Sequence, residues 1–294
     1  MQLIVELKNL DILNNTDVDE IGGYIVNISE LSAYNDEEYN LDELPNIISL
    51  IHQKGKKVYI NARKIFHEDD LITLDNTIKK LVEYGVDYYL YGDVAFYEVS
   101  RKYGICDKLI YQVNTYMTNK YDIDIMLKDN NGVVISTEIS YQEIEEIVKN
   151  VNGNLYLTAF GYYPIFHSRR KLITNYKLYR NEELDLNKQF DVVEELRESH
   201  YPIEENKNGT VIYTDGLYYL SNEIYTLNNI NPNIKYLVYS KFVDNDKYLK
   251  LIAVYSDLLK NKEVSFNEFD NLTKGLLYER SKLLKEEGGN KWEK

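Results

Sequence analysis

The sequence predicts an α/β protein built as a TIM-like (β/α)8 barrel, with a β-hairpin-containing insertion before the last strand and a C-terminal helix. Short runs rich in β-branched and aromatic residues alternate along the chain with amphipathic segments of helical spacing. The runs are apolar almost throughout, as is typical of parallel strands buried on both faces. We therefore expect one barrel domain over residues 1–294.

The predicted strands match the number found in a TIM barrel. An open doubly wound sheet would also fit the alternation. The first strand, however, is not followed by GxGxxG or GxxxxGK[ST], the turns of nucleotide-binding open sheets, so the barrel is favoured. The strands are LIVELK (Leu3 to Lys8), GYIVNI (Gly23 to Ile28), KVYINA (Lys57 to Ala62), DYYLYG (Asp87 to Gly92), KLIYQV (Lys108 to Val113), GVVIS (Gly132 to Ser136), LYLTAF (Leu155 to Phe160) and YLVYS (Tyr236 to Ser240).

Amphipathic segments between these strands predict the helices. Gly55 and Gly85 follow two of them directly before the next strand, as expected of residues that end a helix. The predicted helices cover Leu41 to Lys54, Leu71 to Tyr84, Val94 to Tyr103, Lys120 to Lys128, Tyr141 to Asn150, Leu217 to Asn228 and Lys247 to Lys260.

One region interrupts the alternation. Residues 180–215 are predicted to form an insertion between the seventh and eighth barrel strands. The polar, acidic stretch Arg180 to Gln189 opens it, Asp191 to Arg197 has helical spacing, and Tyr201 to Thr214 predicts a β-hairpin. Beyond the last barrel helix, the amphipathic residues 265–288 predict a C-terminal helix packed outside the barrel.

Composition restricts the class of partner and of metal site. The net charge of −14 repels phosphate backbones and anionic lipids, so any contact with nucleic acid is expected to be local. No apolar run is long enough to span a membrane and no signal peptide is recognisable, so we expect a cytoplasmic protein without membrane contact. The single cysteine, Cys106, excludes an internal disulfide and a self-sufficient cysteine-ligated zinc or iron–sulfur site.

Polar residues stand at the predicted C-terminal strand ends, where TIM barrels place their reactive groups. A purely structural rim would be polar as well, so each residue has a structural explanation beside the functional one. Together they predict a polar cavity, with Glu138 and Asp93 as the candidate catalytic carboxylates. The residues are Glu6, Lys8, Asn27, Asn61, Arg63, Asp93, Gln112, Asn114 and Glu138.

Four side chains that can carry positive charge fall within His167 to Lys171, in an otherwise acidic chain. An arginine presents a rigid fork suited to carboxylate or phosphate, so the functional interpretation is an anion site at Arg169 and Arg170. The structural alternative is that these arginines pair with Glu138, Asp93 or the acidic residues of the insertion and hold a long loop in place. The residues by themselves favour neither.

Hydrolase chemistry finds little support in the residues. His167 and Ser168 are sequence neighbours, which does not make them a base and a nucleophile, and no third orienting group is evident. The histidines lack HExxH or other close spacing, so no metal site is predicted. Cys106 precedes the fifth strand, on the stability face of the barrel, where an inert thiol is expected.

The segment FGYYPIFHSRRKLITNY (Phe160 to Tyr176) resembles the HG-x-(4 or 5)-S-[KR]-R-x-L-[IV]-x-N-Y block of the peptidase U32 family. Four further blocks agree in order: YGVDYYLYGDVAFY, NTYMTN, VISTEIS and IEENKNGTVIY. Two positions depart from the family pattern, because Phe160 replaces its histidine and Thr137 replaces an arginine, whereas Glu138 is retained. The resemblance covers nearly the whole chain and implies a TIM-barrel-like fold.

The resemblance also implies a set of substrate- or anion-binding residues, mostly within the signature block. They are Asn114, His167, Ser168, Arg169, Arg170, Asn175 and Tyr176.

Members of the family are labelled collagenase-like proteases, or act in oxygen-independent or prephenate-dependent hydroxylation of RNA bases, including the tRNA wobble uridine, or in ubiquinone hydroxylation. This chain resembles the short, cysteine-poor member that is paired with a longer U32 protein. The leading hypothesis is a bacterial partner subunit in tRNA wobble-uridine hydroxylation. No cofactor is expected on this chain alone, and prephenate or a partner's iron–sulfur cluster would complete the system. The alternatives are a U32 peptidase and a non-catalytic scaffold.

Overall fold

The computed structural model describes residues 2–16, 18–181, 183, 185, 189–194 and 199–279. In this part of the chain, eight parallel strands close into a barrel in the order β1 to β7 followed by β13, which pairs with both β7 and β1. The strands are β1 (Gln2–Glu6), β2 (Ile21–Asn27), β3 (Lys57–Ala62), β4 (Tyr88–Tyr91), β5 (Leu109–Tyr111), β6 (Gly132–Val134), β7 (Asn154–Gly161), β8 (Pro164–Ser168), β9 (Phe190–Glu194), β10 (Ser199–Asn206), β11 (Gly209–Tyr213), β12 (Leu217–Tyr219), β13 (Lys235–Val238) and β14 (Leu272–Thr273).

The barrel confirms all eight predicted strands and the TIM-like fold. Helices lie between successive barrel strands, and within the described residues none is long and apolar enough to cross a membrane. Gly55 and Gly85 have positive φ angles of 69° and 78°, which confirms that they end helices. The helices are α1 (Leu10–Asn15), α2 (Leu44–Gln53), α3 (Leu71–Glu83), α4 (Val94–Lys102), α5 (Lys120–Met126), α6 (Tyr141–Asn150), α7 (Leu172–Arg180), α8 (Glu223–Ile230) and α9 (Asn245–Leu259).

One predicted helix begins too early. Residues 217–219 form strand β12 rather than the first turn of the helix predicted from Leu217, and α8 begins only at Glu223. The reason is tertiary, because β12 pairs antiparallel with the end of β7, where Tyr218 faces Gly161.

Side chains alternate between two apolar regions along each barrel strand. One set packs beneath the helices, as Leu3 and Val5 do. The other set fills the barrel interior, where it forms a separate buried cluster. That cluster comprises Ile4, Ile25, Tyr59, Leu90, Ile110, Val134, Tyr156, Leu237 and Tyr239.

The insertion forms a four-stranded sheet in the order β8, β11, β10, β9, with α7 between its first two strands in sequence. The predicted hairpin over Tyr201 to Thr214 is confirmed by the antiparallel pairing of β10 with β11. The helix predicted over Asp191 to Arg197 is wrong, because residues 190–194 are strand β9. The β-branched Val192 and Val193 stand opposite Tyr201 and His200 of β10 in the antiparallel pair, a contact that sequence spacing does not reveal. Residues 195–198 lie outside the described residues.

The inserted sheet is attached to the barrel by polar contacts. Lys241, which follows β13, is 3% exposed, and its ammonium lies 2.7 Å from Glu204 of β10 and 2.9 Å from Asp36 of the β2–α2 loop. Burial opposes the charge of Lys241, but Glu204 and Asp36 outweigh it and raise its pKa. At the surface, Lys207 pairs with Glu38 at 2.6 Å.

The C-terminal helix predicted over residues 265–288 is not formed in the described part of this segment, which ends at residue 279. Positive φ angles at Asn271 and Gly275 interrupt the backbone, and β14 between them pairs with β12. The buried apolar side chains, among them Phe266 and Leu277, therefore pack as separate anchors. Residues 280–288 lie outside the described residues.

Glu223 at the start of α8 holds this segment against the barrel. Its carboxylate accepts hydrogen bonds from Lys274 at 2.8 Å, from Tyr278 at 2.6 Å and from the backbone NH of Ser221 at 2.6 Å. Burial favours the protonated carboxyl, but the hydrogen bonds from Lys274, Tyr278 and Ser221 outweigh it and lower the pKa of Glu223 to about 2.

A pH dependence of stability follows from this low pKa. Since the folded pKa lies below the ordinary 4.5, the carboxylate stabilises the fold above pH 4.5, and this contribution is lost as pH falls toward 2. We expect Glu223→Gln to lower the free energy of unfolding at pH 7 by up to about 3 kcal/mol, and by less at pH 3.5. Urea unfolding at both pH values measures this, with the exposed Glu98→Gln as control. An equal loss at both pH values would contradict the assignment.

Candidate functional site

The inward-facing side chains become polar toward the C-terminal ends of the barrel strands. Glu6, Asn27 and Asn61 each stand two residues beyond a member of the interior apolar cluster, and each is at most 2% exposed. Because side chains alternate along a strand, these polar groups point into the barrel just above the apolar cluster.

These residues form one hydrogen-bonded network. Asn27 Nδ2 donates to Glu6 Oε1 at 2.8 Å, while Glu6 Oε2 accepts from the backbone NH and the hydroxyl of Ser240 at 2.6 and 2.8 Å. Asn61 Nδ2 donates to Asn27 Oδ1 at 2.8 Å and to the carbonyl oxygen of Ala33 at 2.9 Å. The network joins β1, β2, β3 and the segment after β13. Within it the oxygen Asn61 Oδ1 accepts no hydrogen bond, so it can accept one from a residue outside the network.

A pocket of about 320 Å³ opens among the residues that follow the barrel strands, and β8 of the inserted sheet forms one wall. It brings together Asp93, Asn114, Glu138 and His167 from the set expected at the site. The lining residues are Tyr34, Arg63, Ile65, Gly92, Asp93, Gln112, Val113, Asn114, Thr115, Glu138, Pro164, Ile165, Phe166 and His167.

Glu138 is the carboxyl in this pocket that is available for chemistry. Its backbone NH is bonded to Ser136 Oγ, but its carboxyl makes no hydrogen bond or ion pair with another residue in the described part of the chain. Burial raises the pKa of Glu138. A carboxyl with a raised pKa in a pocket can give a proton to a bound molecule or take one from it.

Asp93 has a structural task at the same pocket. Its Oδ1 accepts from the backbone NH of Ala95 at 2.8 Å and caps α4, and its Oδ2 accepts from the backbone NH of Phe66 at 3.0 Å. Both carboxylate oxygens are therefore engaged. Asn114 is held similarly, since its side chain donates to the carbonyl oxygen of Pro164 at 3.0 Å.

His167 is oriented by Tyr34. Its Nε2 lies 3.3 Å from the carbonyl oxygen of Asn208, which can only accept, so Nε2 carries the proton. Nδ1 then accepts from the Tyr34 hydroxyl at 2.8 Å. Burial lowers the pKa of His167 and favours this neutral form. Tyr34 has a φ angle of 67°, a left-handed conformation that non-glycine residues adopt mainly where surrounding contacts impose it.

Among the described residues that line the pocket, Arg63 is the side chain with a permanent positive charge. In the sequence it is only one of several polar residues at the predicted strand ends. It is 8% exposed, and its guanidinium carbon lies 5.2 Å from the ring centre of Tyr34 and 4.8 Å from that of Tyr239. The signal in the sequence was its position directly after the third strand. Tyr34 carried no comparable signal, because it belongs to a loop.

The comparisons with known proteins agree with this architecture. The profile of peptidase family U32 matches residues 26–265. The chain belongs to peptidase family U32. It is 29% identical over 181 residues to "tRNA hydroxylation protein P2" of Bacillus subtilis (strain 168), an alignment that covers 60% of this chain and 59% of that protein.

A second relative is an uncharacterized protease of Methanocaldococcus jannaschii, 24% identical over 193 residues that cover 64% of this chain and 46% of that protein. The chain thus matches about half to three-fifths of the length of these relatives. Among solved structures, the U32 peptidase Mk0906 superposes with a TM-score of 0.52 at 11% identity, over 83% of this chain and 94% of that one. This likeness shows the shared fold.

The U32 signature block divides between the pocket and the inserted sheet. His167 lines the pocket, whereas Ser168, Arg169, Arg170, Asn175 and Tyr176 do not. Arg169 lies 3.6 Å from Asp70, so it connects the inserted sheet to the loop after β3. Arg169 thus contacts a carboxylate as the structural alternative expects, but the partner is Asp70 and none of those predicted. Arg170, Asn175 and Tyr176 face solvent.

Two of the U32 sequence blocks form one structural unit. Glu205 Oε2, in the block IEENKNGTVIY, accepts from the backbone NH groups of Ile173 and Thr174 at 2.9 and 3.1 Å. Thr210 of the same block accepts from the backbone NH of Leu172 at 2.9 Å and donates to the carbonyl oxygen of Arg170 at 2.8 Å. The hairpin therefore caps the first turn of α7.

Removing this cap should loosen α7. We expect Glu205→Ala to lower the free energy of unfolding by about 1–2 kcal/mol, because two backbone NH groups lose their acceptor. Faster hydrogen–deuterium exchange in residues 172–180 would locate the effect. Glu183→Ala is the matched control, since Glu183 is 99% exposed beside Lys177. Unchanged exchange in α7 would contradict the capping role.

Groups that could hold a metal ion or act as a thiol nucleophile were sought among the described residues. The described residues contain no group of three or more His, Cys, Asp or Glu side chains that could hold a metal ion, and the sequence has one cysteine. Burial raises the pKa of Cys106, which keeps the thiol protonated. Ser168 Oγ accepts from the backbone NH of Arg170, and both nitrogens of His167 are bonded elsewhere.

Proposed function

We propose that this chain takes part in hydroxylation of the wobble uridine of tRNA, as a partner subunit of a longer U32 protein. The observation that carries the proposal is the similarity to the tRNA hydroxylation protein P2, within a family match that extends over most of the chain. The pocket at the C-terminal barrel mouth is the working site, with Glu138 as its proton carrier.

We assign the oxidising step to the longer partner protein. Hydroxylation needs an oxidising centre, and one cysteine cannot hold an iron–sulfur cluster. The iron–sulfur cluster of the partner would carry out the oxidation. Prephenate is the small molecule that we propose takes part in the reaction. The exposed Arg170 and Lys171, close to β8 in sequence, provide local positive charge for tRNA phosphates on an acidic protein.

The test uses the native host. Deleting the gene should abolish or strongly reduce hydroxylated wobble uridine in tRNA, as measured by mass spectrometry of nucleosides, and the wild-type gene should restore it. Arg170→Ala is expected to restore only part of the modification. Co-purification of the tagged chain with metal analysis of the complex tests the partner. Unaltered tRNA in the deletion strain would refute the proposal.

A peptidase is the second candidate, which the family name and the protease relative favour. In the described residues, however, the hydroxyl of Ser168 and the ring of His167 are bonded to other groups. Cleavage of gelatin or of a peptide library by the purified chain, lost in Glu138→Gln, would place this candidate first. A chain that binds the partner but whose Glu138→Gln variant restores full modification would instead be a scaffold.

A further inference from the structure

Helix α7 contributes little to the apolar core. All of its nine residues are described, and Ile173 is the only one of them whose side chain is buried. The first turn of the helix is held by the hairpin, because Glu205 and Thr210 accept hydrogen bonds from its backbone NH groups. The side of α7 that faces solvent is therefore not needed for packing, and its side chains are available to another molecule.

Two tyrosines stand on this exposed side. Tyr176 is 53% exposed and Tyr179 is 86% exposed. Residues three positions apart are neighbours on a helix surface, with about 5–6 Å between their Cβ atoms, so the two rings lie next to each other. Asn175 and Tyr176 also belong to the U32 signature block, yet they neither line the pocket nor pack in the core. Their task therefore lies at the surface.

The same segment is basic. Residues 168–181 contain five basic residues and no acidic residue, in a chain with a net charge of −14. Arg169 and Lys177 lie 3.6 and 3.2 Å from a carboxylate. The exposed side chains of Arg170 and Lys171 make no ion pair with any other described residue. Such a patch attracts a polyanion locally, while the remainder of the protein repels it.

This basic segment begins beside the pocket. Phe166 and His167 of β8 line the pocket, and Arg170 follows His167 by three residues, which span no more than about 10 Å of extended chain. From there the nine residues of α7 extend for about 13 Å. A nucleic acid strand with one nucleotide at the pocket can therefore place its next nucleotides along α7.

We propose that α7 and the two residues before it bind an unpaired RNA loop, with bases stacked on Tyr176 and Tyr179 and with phosphates on Arg170 and Lys171. Bases reach aromatic rings only where they are not stacked in a duplex, and duplex readers span about 16 base pairs, far more than this short helix. That the loop belongs to the tRNA substrate rests on the proposed function, whereas RNA binding can be measured on the purified chain.

A protein partner fits this surface less well. Lysine is depleted at protein–protein interfaces, whereas a basic residue directly follows each exposed tyrosine here, Lys177 after Tyr176 and Arg180 after Tyr179. Alternation of aromatic and basic side chains is typical of surfaces that bind single-stranded nucleic acid.

Fluorescence anisotropy of the purified chain tests the proposal with two labelled RNAs, a hairpin with an unpaired loop and a blunt duplex of the same stem. We expect the hairpin to bind more tightly. The double variant Tyr176→Ala, Tyr179→Ala should weaken hairpin binding at least ~10-fold and leave duplex binding nearly unchanged, because it removes the stacking surface. The double variant Tyr176→Phe, Tyr179→Phe keeps both rings and should retain most of the affinity.

The basic residues have a separate signature in the salt dependence. The double variant Arg170→Gln, Lys171→Gln should weaken hairpin binding. It should also reduce the slope of log affinity against log salt by about 1.4, because each phosphate contact contributes about 0.7 for a single strand. An unchanged slope would remove the phosphates from these two residues and contradict the proposal.

Matched controls come from α5. The double variant Lys120→Gln, Tyr121→Ala changes the same residue types on another helix, where Tyr121 is 75% exposed, and it should bind the hairpin like the wild type. Circular dichroism should show that all variants are folded. Three results would each overturn the proposal: no hairpin binding, equal binding of hairpin and duplex, or full hairpin affinity in the alanine variant. If that variant keeps RNA affinity but no longer co-purifies with a partner, α7 is a protein interface instead.

The two proposals can fail separately. If the deletion strain keeps its wobble-uridine hydroxylation while hairpin binding depends on Tyr176 and Tyr179, the RNA surface stands and the tRNA function does not. If the deletion strain loses the modification and the alanine variant restores it fully, the tRNA function stands and α7 has no part in it.

Discussion

Replacing Glu6 with alanine is expected to lower the free energy of unfolding by about 3–5 kcal/mol, among the largest effects of any single change in this protein. Glu6 is 1% exposed and accepts hydrogen bonds from Asn27 and from both the backbone NH and the hydroxyl of Ser240. Its truncation leaves those donors buried without an acceptor. Urea unfolding followed by circular dichroism measures the change.

The isosteric Glu6→Gln distinguishes lost hydrogen bonds from lost volume. A glutamine keeps one acceptor oxygen, so we expect a loss smaller than that of Glu6→Ala. The exposed Glu98→Ala, which removes a surface pair with Arg101, should change stability by less than about 1 kcal/mol. If Glu6→Ala were no more destabilising than Glu98→Ala, the buried hydrogen-bonded network would not contribute measurably to the stability of the barrel.

Replacing Lys241 with methionine is the second large effect that we expect. The ammonium of Lys241 neutralises Glu204 and Asp36, and it joins the inserted sheet to the barrel. Without it the carboxylates of Glu204 and Asp36, whose side chains are 23% and 24% exposed, lose the buried ammonium that they share, so the free energy of unfolding should fall by about 2–3 kcal/mol. Thermal and urea unfolding measure this loss, and hydrogen–deuterium exchange should increase in β10 and β11.

Lys207→Met is the matched control for this prediction. Lys207 also connects the inserted sheet to the β2–α2 loop, through Glu38, but it is 51% exposed. An exposed pair contributes less than about 1 kcal/mol, since water and salt screen it. If both lysine variants lowered the free energy of unfolding equally, the burial of Lys241 would not determine how much it stabilises the fold.

The barrel was predictable because its signals are local. Each strand is a short apolar run, and the alternation of side chains along it assigns Ile4 to the interior and Glu6 to the polar layer above. The same spacing relates Ile25 to Asn27. A sequence that follows these rules predicts the number of strands and the polar character of their C-terminal ends, whereas the closure of β13 onto β1 and β7 is seen only in the structure.

Two local patterns were misleading, for reasons that lie in tertiary contacts. Residues 191–194 have helical spacing, but pairing with β10 makes them a strand. Residues 266–279 are amphipathic, yet the pairing of β14 with β12 and the positive φ angle of Asn271 prevent a helix. In both segments hydrogen bonds to another strand, the next one in sequence for β9 and the distant β12 for β14, outweigh helical propensity, which is a small term for each residue.

The sequence by itself determined the barrel, the U32 family and the presence of Glu138 and His167 near the strand ends. Only the tertiary structure decided which cation enters the pocket. Arg169 is drawn to Asp70, whereas Arg63 lies buried between Tyr34 and a second tyrosine. The physical reason is that the position and orientation of an arginine side chain depend on partners far away in sequence, and folding alone brings those partners together.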